Sequence, residues 1–364
     1  MPDFIPGREL SRRFYWEAVR PLLDHYFPVL PHAAAMLGPG SEVLGFDTPM
    51  SMDHDWYPNV LIFLRDQDAA LQIPIKEMLR QNLPHSFLGF GVVSAPVEDE
   101  PNTHGMVEEV EGPVEHNVFP VTLRSVAMQW MTWNTDQPLE AVDWLTIPAQ
   151  TFRIMTAGAV HYDGVGELTA FRQNLAWYPK EVWLYLLAAG WRRIGEEEHL
   201  MPRAGYVGDE PGSALMGSRL VRDVMSLCFL MERQYAPYPK WFGSAFRQLN
   251  CAPDLAPILW RAQLASTWQE REAALGEATV YLARWHNRMG ITALLPETLS
   301  SFFGRPFKVI SGSNFADAIC KSITDPEMRR IAGKGLIGSI DQFSDNTDLR
   351  SNVTWRQNLR KLYE

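Results

Sequence analysis

The stretch that decides the fold is GPGSEVLGFDTPMSMDHDW, residues 38–56. It places the pair Gly40-Ser41 ahead of two aspartates, Asp53 and Asp55, with one histidine between them. The apolar run NVLIFL at 59–64 follows and predicts a buried strand. Because alternate side chains of a strand point to the same face, a strand starting at Asp53 would aim both carboxylates one way.

Two carboxylates on one rigid edge suit Mg²⁺ (or Mn²⁺), which keeps positions free for water and phosphate oxygens. The Gly40-Ser41 turn would then hold the triphosphate of ATP or another NTP through backbone N–H groups and the serine hydroxyl. The competing interpretation is a plain turn with surface acids. His54 would face the other side of the strand as a hydrogen-bonded structural residue, and Ser51 would cap the turn.

Bulk properties narrow the class of protein. At 364 residues the chain exceeds a usual single core, so two domains are expected. A net charge of −10 argues against an extended nucleic-acid surface, which requires clustered Lys and Arg. The 3 cysteines fit reduced core residues, the N-terminus lacks a signal peptide, and the longest apolar run, at 182–191, is too short for a bilayer. We therefore expect a soluble cytoplasmic protein that does not engage membranes.

The hydrophobic pattern changes along the chain. Residues 8–27 and 69–84 predict helices, 33–37 a buried strand, and 95–116 an acidic loop or hairpin. A strand is predicted at Asn117–Val126, where Pro120 restricts it to an edge or a bulge. The remaining pattern is helical, and its predicted helices are 139–157, 167–176, 180–199, 212–234, 238–249, 253–289, 314–321 and 325–334. We place a boundary near residue 175, between domains 1–175 and 176–364.

Four segments carry a family resemblance: FIPGRELSRRFYWEAVRPLL (4–23), LGPGSEVLGFDTPMSMDHDW (37–56), LTIPAQTFRIMTAGAVHYDGVGELTAFR (145–172) and YAPYPKWFGSAF (235–246). The second segment resembles the nucleotidyltransferase superfamily built on the DNA polymerase β palm, which includes enzymes that adenylylate aminoglycosides and lincosamides. Together the four look like an uncharacterised bacterial family that joins such a region to a helical domain of unknown function. The resemblance implies an α+β fold: a polymerase-β-like domain with a mixed sheet, followed by an all-α domain.

The resemblance also implies roles for residues. Gly40 and Ser41 would bind the nucleotide phosphates, and Asp53 and Asp55 would hold Mg²⁺. The superfamily usually adds a third carboxylate from a neighbouring strand. Glu115 is our candidate for it, and the acids considered after it are Asp143 and Asp163.

Two basic features have alternative interpretations. Lys240, which follows a Pro-rich turn, would reach the triphosphate as a point charge or remain a solvated lysine at a helix start. Arg219 and Arg222 lie three apart on one helix face, where surface ion pairs are favoured over a phosphate clamp.

The expected function is transfer of a nucleoside monophosphate from an NTP to a hydroxyl of a small-molecule acceptor. Nucleotidylation of a protein or tRNA is an alternative for the acceptor. A chain lacking the third carboxylate would instead be a non-catalytic nucleotide-binding sensor. A structural helical interaction protein is the third alternative.

Overall fold

The computed structural model describes residues 2–96, 104–107 and 111–364. The fold is α+β, with one mixed sheet and many helices. The chain forms two compact units, one of Met1–Pro138 with Thr151–Ala176 and the other of Leu139–Gln150 with Trp177–Glu364. The division into domains at residue 175 stays a prediction. Among the described residues, no helix combines the length and apolar character that crossing a membrane requires.

The strands, in chain order, are β1 (His32–Met36), β2 (Val60–Leu64), β3 (Ser86–Phe87), β4 (Phe90–Gly91), β5 (Val93–Pro96), β6 (His104–Val107), β7 (Val118–Thr122), β8 (Ala159–Asp163), β9 (Ser300–Ser301) and β10 (Lys308–Val309). The α-helices are α1 (Gly7–Phe14), α2 (Arg20–Tyr26), α3 (Ser41–Leu44), α4 (Gln72–Asn82), α5 (Leu123–Met131), α6 (Ala141–Thr146), α7 (Ala149–Thr156), α8 (Glu167–Asn174), α9 (Lys180–Glu197), α10 (Leu200–Tyr206), α11 (Glu210–Met231), α12 (Pro239–Phe246), α13 (Ala252–Leu264), α14 (Trp268–Met289), α15 (Gly312–Ser322), α16 (Pro326–Lys334), α17 (Ile340–Phe343), α18 (Thr347–Ser351) and α19 (Arg356–Arg360). A π-helical turn, Tyr15–Val19, joins α1 to α2, and short 3₁₀ helices cover Pro49–Asp53, Asp66–Leu71, Phe302–Gly304 and Val353–Trp355.

The mixed sheet of the first unit has the strand order β7-β2-β1-β8. β1 is antiparallel to β2 and β8, and β2 is parallel to β7, with Val60 opposite Val118. All of β1 is buried, as its run of small apolar residues predicts. β7 lies at the edge of the sheet, as the presence of Pro120 predicts. Proline has no N–H to donate, and an edge strand has one side on which no neighbouring strand needs it.

One face of this sheet is covered by the helical stretch from α1 to α2 and by α4. Large apolar side chains from both elements meet the small and branched residues of the strands. The fully buried members of this core include Leu10, Phe14, Val19, Ala34, Ile62, Ile75, Leu79 and Val118. Burial of this apolar surface positions the loop between β1 and β2, which carries the predicted site.

The second unit is a helical assembly. α9 packs against α11 and α15, and α13 packs against α14. Glycines allow α9 and α15 to approach closely, because a Cβ on Gly195 would lie 2.4 Å from the backbone nitrogen of Ser313. The carboxylate of Glu198 accepts the backbone N–H groups of Ile310 (2.7 Å) and Gly312 (3.0 Å), which fixes the start of α15.

Candidate nucleotide and metal site

The Gly-Ser turn forms where the buried strand β1 ends. Gly40 has φ 140, and α3 begins at the next residue, Ser41. This backbone conformation, φ 140 with ψ 146, is one that L side chains rarely adopt, so glycine is favoured at this position. The sequence prediction of a tight turn entering a helix after a buried strand is confirmed here.

The predicted strand through Asp53 and Asp55 is wrong. Asp53 ends the 3₁₀ helix that begins at Pro49, Asp55 has φ 50, and the strand itself starts only at Val60. Proline favours the first position of a helical turn. Ser51 adds the expected cap, since its hydroxyl accepts the backbone N–H of Thr48 at 3.0 Å.

The unusual backbone of Asp55 is held by the hairpin strand β6. Its backbone N–H donates to the carbonyl of His104 at 2.6 Å, and its Oδ1 accepts the backbone N–H of His104 at 3.0 Å. Asp53 instead contacts the neighbouring imidazole, with 2.9 Å between its Oδ1 and Nδ1 of His54. Both carboxylates are more than half exposed, at 59% for Asp53 and 52% for Asp55, and so are accessible to a solvated cation.

Two further acids approach Asp55 from the Gly-Ser side, and we refer to Glu42, Asp47 and Asp55 as the acidic cluster. Burial raises the pKa of Glu42 to about 7, and the negative charges of Asp47 and Asp55 raise it as well. Asp47 is fixed by two donors to its Oδ2: the backbone N–H of Gly7 at the start of α1 (2.7 Å) and Nε1 of Trp56 (3.2 Å). Neither Glu42 nor Asp47 is among the site residues predicted from the sequence, although both lie within residues 38–56.

Within the described residues, no lysine or arginine forms an ion pair with the acidic cluster or with Asp53. Like charges without a basic partner favour either proton uptake, as at Glu42, or a bound cation. No group of three or more His, Cys, Asp or Glu in the described residues could hold a metal ion. A cation bound here would therefore have to complete its coordination with water and substrate oxygens, as Mg²⁺ commonly does.

The three candidates for a third carboxylate all have other partners. Oε1 of Glu115 lies 2.6 Å from Nε of Arg80, which lowers the pKa of Glu115. Asp143 pairs with Arg356 at 2.7 Å, in the second unit. Asp163 accepts the backbone N–H groups of Gly166 and Thr169, both at 2.8 Å, and so holds the start of α8. These contacts do not bring any of the three to Asp53 and Asp55.

An asparagine, not an acid, lies just before β7, the strand that follows Glu115. Asn117 directly precedes β7; its Oδ1 accepts the Ser94 hydroxyl at 3.0 Å and its Nδ2 donates to the carbonyl of Val92 at 3.2 Å. Tyr57 belongs to the same neighbourhood, since burial raises its pKa and the charges of Asp55 and Glu42 add to the rise.

The predicted basic residues lie in the second unit. Lys240, in the first turn of α12, has its Nζ 5.2 Å from the ring centroid of Trp241. Its role at a triphosphate stays a prediction. Arg219 pairs with Glu197 and Arg222 with Asp345, which confirms the preference for ion pairs over a phosphate clamp.

Comparison with known proteins yields two similarities. Residues 144–242 match the model of a family described as a domain of unknown function, DUF4037. The structure is similar to the crystal structure of a nucleotidyltransferase-like protein from Exiguobacterium sibiricum 255-15, with 10% identity and a TM-score of 0.30, over 80% of this chain and 96% of the other. No curated protein matches the chain.

Proposed function

We propose that this protein is a Mg²⁺-dependent nucleotidyltransferase that transfers a nucleoside monophosphate from ATP or another NTP to a hydroxyl of a small-molecule acceptor. The observation that carries the proposal is the acidic cluster beside the Gly40-Ser41 turn, where burial above all, and then the charges of Asp47 and Asp55, raise the pKa of Glu42. Asp53 and Asp55, which are more than half exposed and form no ion pair with a lysine or arginine among the described residues, suit a cation that arrives with phosphate.

Asp53 and Asp55 would hold the metal, because both side chains are accessible. When bound, Mg²⁺ would neutralise charge on the phosphate oxygens and orient them for in-line displacement. The hairpin contact to His104 fixes the backbone of Asp55, so that the carboxylate is positioned before any ligand binds.

Gly40 and Ser41 would bind the triphosphate through the backbone N–H groups at the turn and the Ser41 hydroxyl. Glu42 lies against the backbone of Gly40. With a pKa of about 7 it is partly protonated at neutral pH, which reduces its repulsion of phosphate. The acceptor hydroxyl would attack the α-phosphate, so that a new P–O bond forms as pyrophosphate leaves.

Two residues predicted from the sequence keep proposed roles. Lys240 would add a positive charge to the triphosphate. Glu115 would act as the third carboxylate only after its side chain leaves Arg80, so its contribution requires a rearrangement.

The test is isothermal titration of the purified protein with ATP, with and without Mg²⁺. Binding should require Mg²⁺, and Asp53→Asn combined with Asp55→Asn should weaken it by at least about tenfold. A second Asp-x-Asp pair, Asp66 and Asp68, provides a matched control, since both acids pair with arginines, Arg124 and Arg65. Unchanged affinity in the first double variant, or equal loss in the control, would refute the metal assignment.

A non-catalytic nucleotide sensor is the second candidate. It is favoured by the partners of Glu115, Asp143 and Asp163, since each of these three candidates for the third carboxylate is held by another group. Release of pyrophosphate separates the two functions. A sensor binds Mg²⁺ and ATP but releases none with any hydroxyl acceptor, whereas a transferase releases pyrophosphate in proportion to labelled product.

A further inference from the structure

The second unit contains a cavity of about 190 Å³. Its walls come from α9, α11 and α12, from the segment 234–237 and from residues around α17. A dry cavity of ~150 Å³ is known to hold benzene. This one therefore has room for a substituted six-membered ring or two fused rings.

Aromatic side chains form much of the wall. The ring centroids of Trp177, Tyr178 and Tyr235 lie 4.9 Å from one another in each pairing. Phe229 and Phe242 form a second aromatic contact, at 5.3 Å. Such rings stabilise a planar aromatic ligand by stacked or edge-to-face contacts.

The cavity wall has equal numbers of positive and negative side chains. The lining residues described include three arginines and three aspartates. They pair as Arg350 with Asp341 (2.5 Å), Arg193 with Asp223 (3.3 Å) and Arg222 with Asp345. Because burying a further charge without a counter-ion is costly, the cavity favours a ligand without net charge.

Three buried polar atoms of the wall have no hydrogen-bond partner among the described residues: Nε1 of Trp177, Nε of Arg193 and Oδ2 of Asp223. Asp223 itself is only 6% exposed, and it forms ion pairs with Arg193 (3.3 Å, to Oδ2) and Arg222 (3.6 Å, to Oδ1). Buried groups of this kind normally bond to water or to a ligand. Two N–H donors and one carboxylate oxygen without hydrogen-bond partners thus belong to residues of the wall.

We propose that this cavity binds a small, neutral, planar aromatic molecule with a hydrogen-bond acceptor next to a donor on one edge. Nucleobases and aromatic carboxamides share this chemistry. The donors of Trp177 and Arg193 would meet the ligand carbonyl or ring nitrogen, and Asp223 would accept from its N–H. All its lining residues belong to the second unit, whereas Gly40, Ser41, Asp53 and Asp55 of the proposed nucleotide and metal site belong to the first.

The test is isothermal titration of the full chain with nicotinamide, benzamide, adenine and uracil. At least one should bind with a Kd below about 1 mM. Trp177→Phe keeps an aromatic ring, though a smaller one, and removes the indole N–H, while Asp223→Asn removes the charge; each should weaken binding by about tenfold or more. The matched control is Trp260→Phe, because Trp260 is 63% exposed and lies outside the cavity. The Asp53→Asn, Asp55→Asn variant should bind like the wild type, which separates this inference from the proposed function.

Circular dichroism and melting temperature without ligand establish that each variant is folded. If Asp223→Asn is not folded, Ser226→Phe takes its place, because it fills the cavity from α11 and should abolish binding. The inference is overturned if none of the four compounds binds, or if Trp177→Phe binds as well as the wild type. Equal binding of nicotinate, which carries a charge on the same ring, would overturn it as well.

Discussion

Among single residues, Glu42 matters both for the packing of the first unit and for the chemistry of its proposed site. It is only 5% exposed, and its carboxyl group lies against Gly40, 2.2 Å from where a Cβ would stand. Burial raises its pKa from 4.5 to about 7, and the charges of Asp47 and Asp55 contribute. A carboxyl group with this pKa destabilises the folded state when it ionises, so its position is difficult to explain by stability alone.

We predict that Glu42→Gln changes the pH dependence of stability. The native state holds the proton more tightly than the unfolded state, so the stabilisation is complete below pH 4.5 and is lost as the pH rises through about 7. The variant should therefore be more stable than the wild type at pH 8, by an amount on the order of 3 kcal/mol at most, and the difference should shrink towards pH 4.5.

Thermal melts across this range measure the effect. Glu167→Gln is the matched control, because Glu167 is an exposed acid of the same unit. A constant loss of stability in Glu42→Gln at every pH would show that the glutamate acts through hydrogen bonding, and that its ionisation costs little.

At the scale of elements, the contact of α9 with α15 depends on glycine. We predict that Gly195→Ala destabilises the protein by about 1–3 kcal/mol, because the added Cβ would lie 2.4 Å from the backbone nitrogen of Ser313 and α15 would have to shift. Denaturant unfolding measures the change. Gly333→Ala in α16 is the control: a Cβ there meets nothing within 4 Å, so alanine should stabilise by roughly 0.5–1 kcal/mol. Equal effects of the two substitutions would contradict the close packing.

The sequence predicted the elements that have a strong period and missed those set by local polar contacts. The helices α4 and α9 and the buried strand β1 follow directly from apolar spacing. The predicted helix 253–289 is instead divided into α13 and α14 by a capping box, in which Thr267 accepts the N–H of Glu270. That box was visible in the sequence. The strand β8 was missed because its residues are only partly buried and its pairing with β1 is set by the tertiary fold.

The site was predictable to a similar extent. Gly40 and Ser41 lie at the turn that the spacing indicates, because a glycine pattern after a buried strand has few alternatives. The conformation of Asp55 was not predictable, since its left-handed backbone depends on His104 in a strand 49 positions later. The partner of Glu115 depends likewise on the packing of α4, which supplies Arg80.

At the scale of the whole molecule, buried ionisable groups act in opposite directions. Glu42 and Glu198 have pKa values raised to about 7 by burial. The stability that the native state gains by keeping them protonated is therefore lost as the pH rises from 4.5. Burial lowers the pKa of His161 and His286 to about 4, so they remain neutral in the native state and destabilise it as the pH falls from 6.5. Among the described residues, each unit contains at least one group of each kind.

We therefore predict a flat stability profile between pH 4.5 and 6.5, where the opposing slopes overlap. His286→Leu removes the contribution of one histidine to the pH dependence of stability and adds no charge. His286 is 1% exposed and contacts Thr292 and the rings of Trp191 and Phe315, so an apolar side chain suits its place. Relative to the wild type, this variant should gain stability as the pH is lowered from 6.5 to 4.5, while Glu42→Gln should lose it. Melting temperatures at pH 4.5, 5.5 and 6.5 measure both trends. If both variants follow the wild-type profile in parallel, the pKa values of these groups do not differ between the folded and unfolded states. A flat dependence of stability on pH would then have to come from the exposed charges.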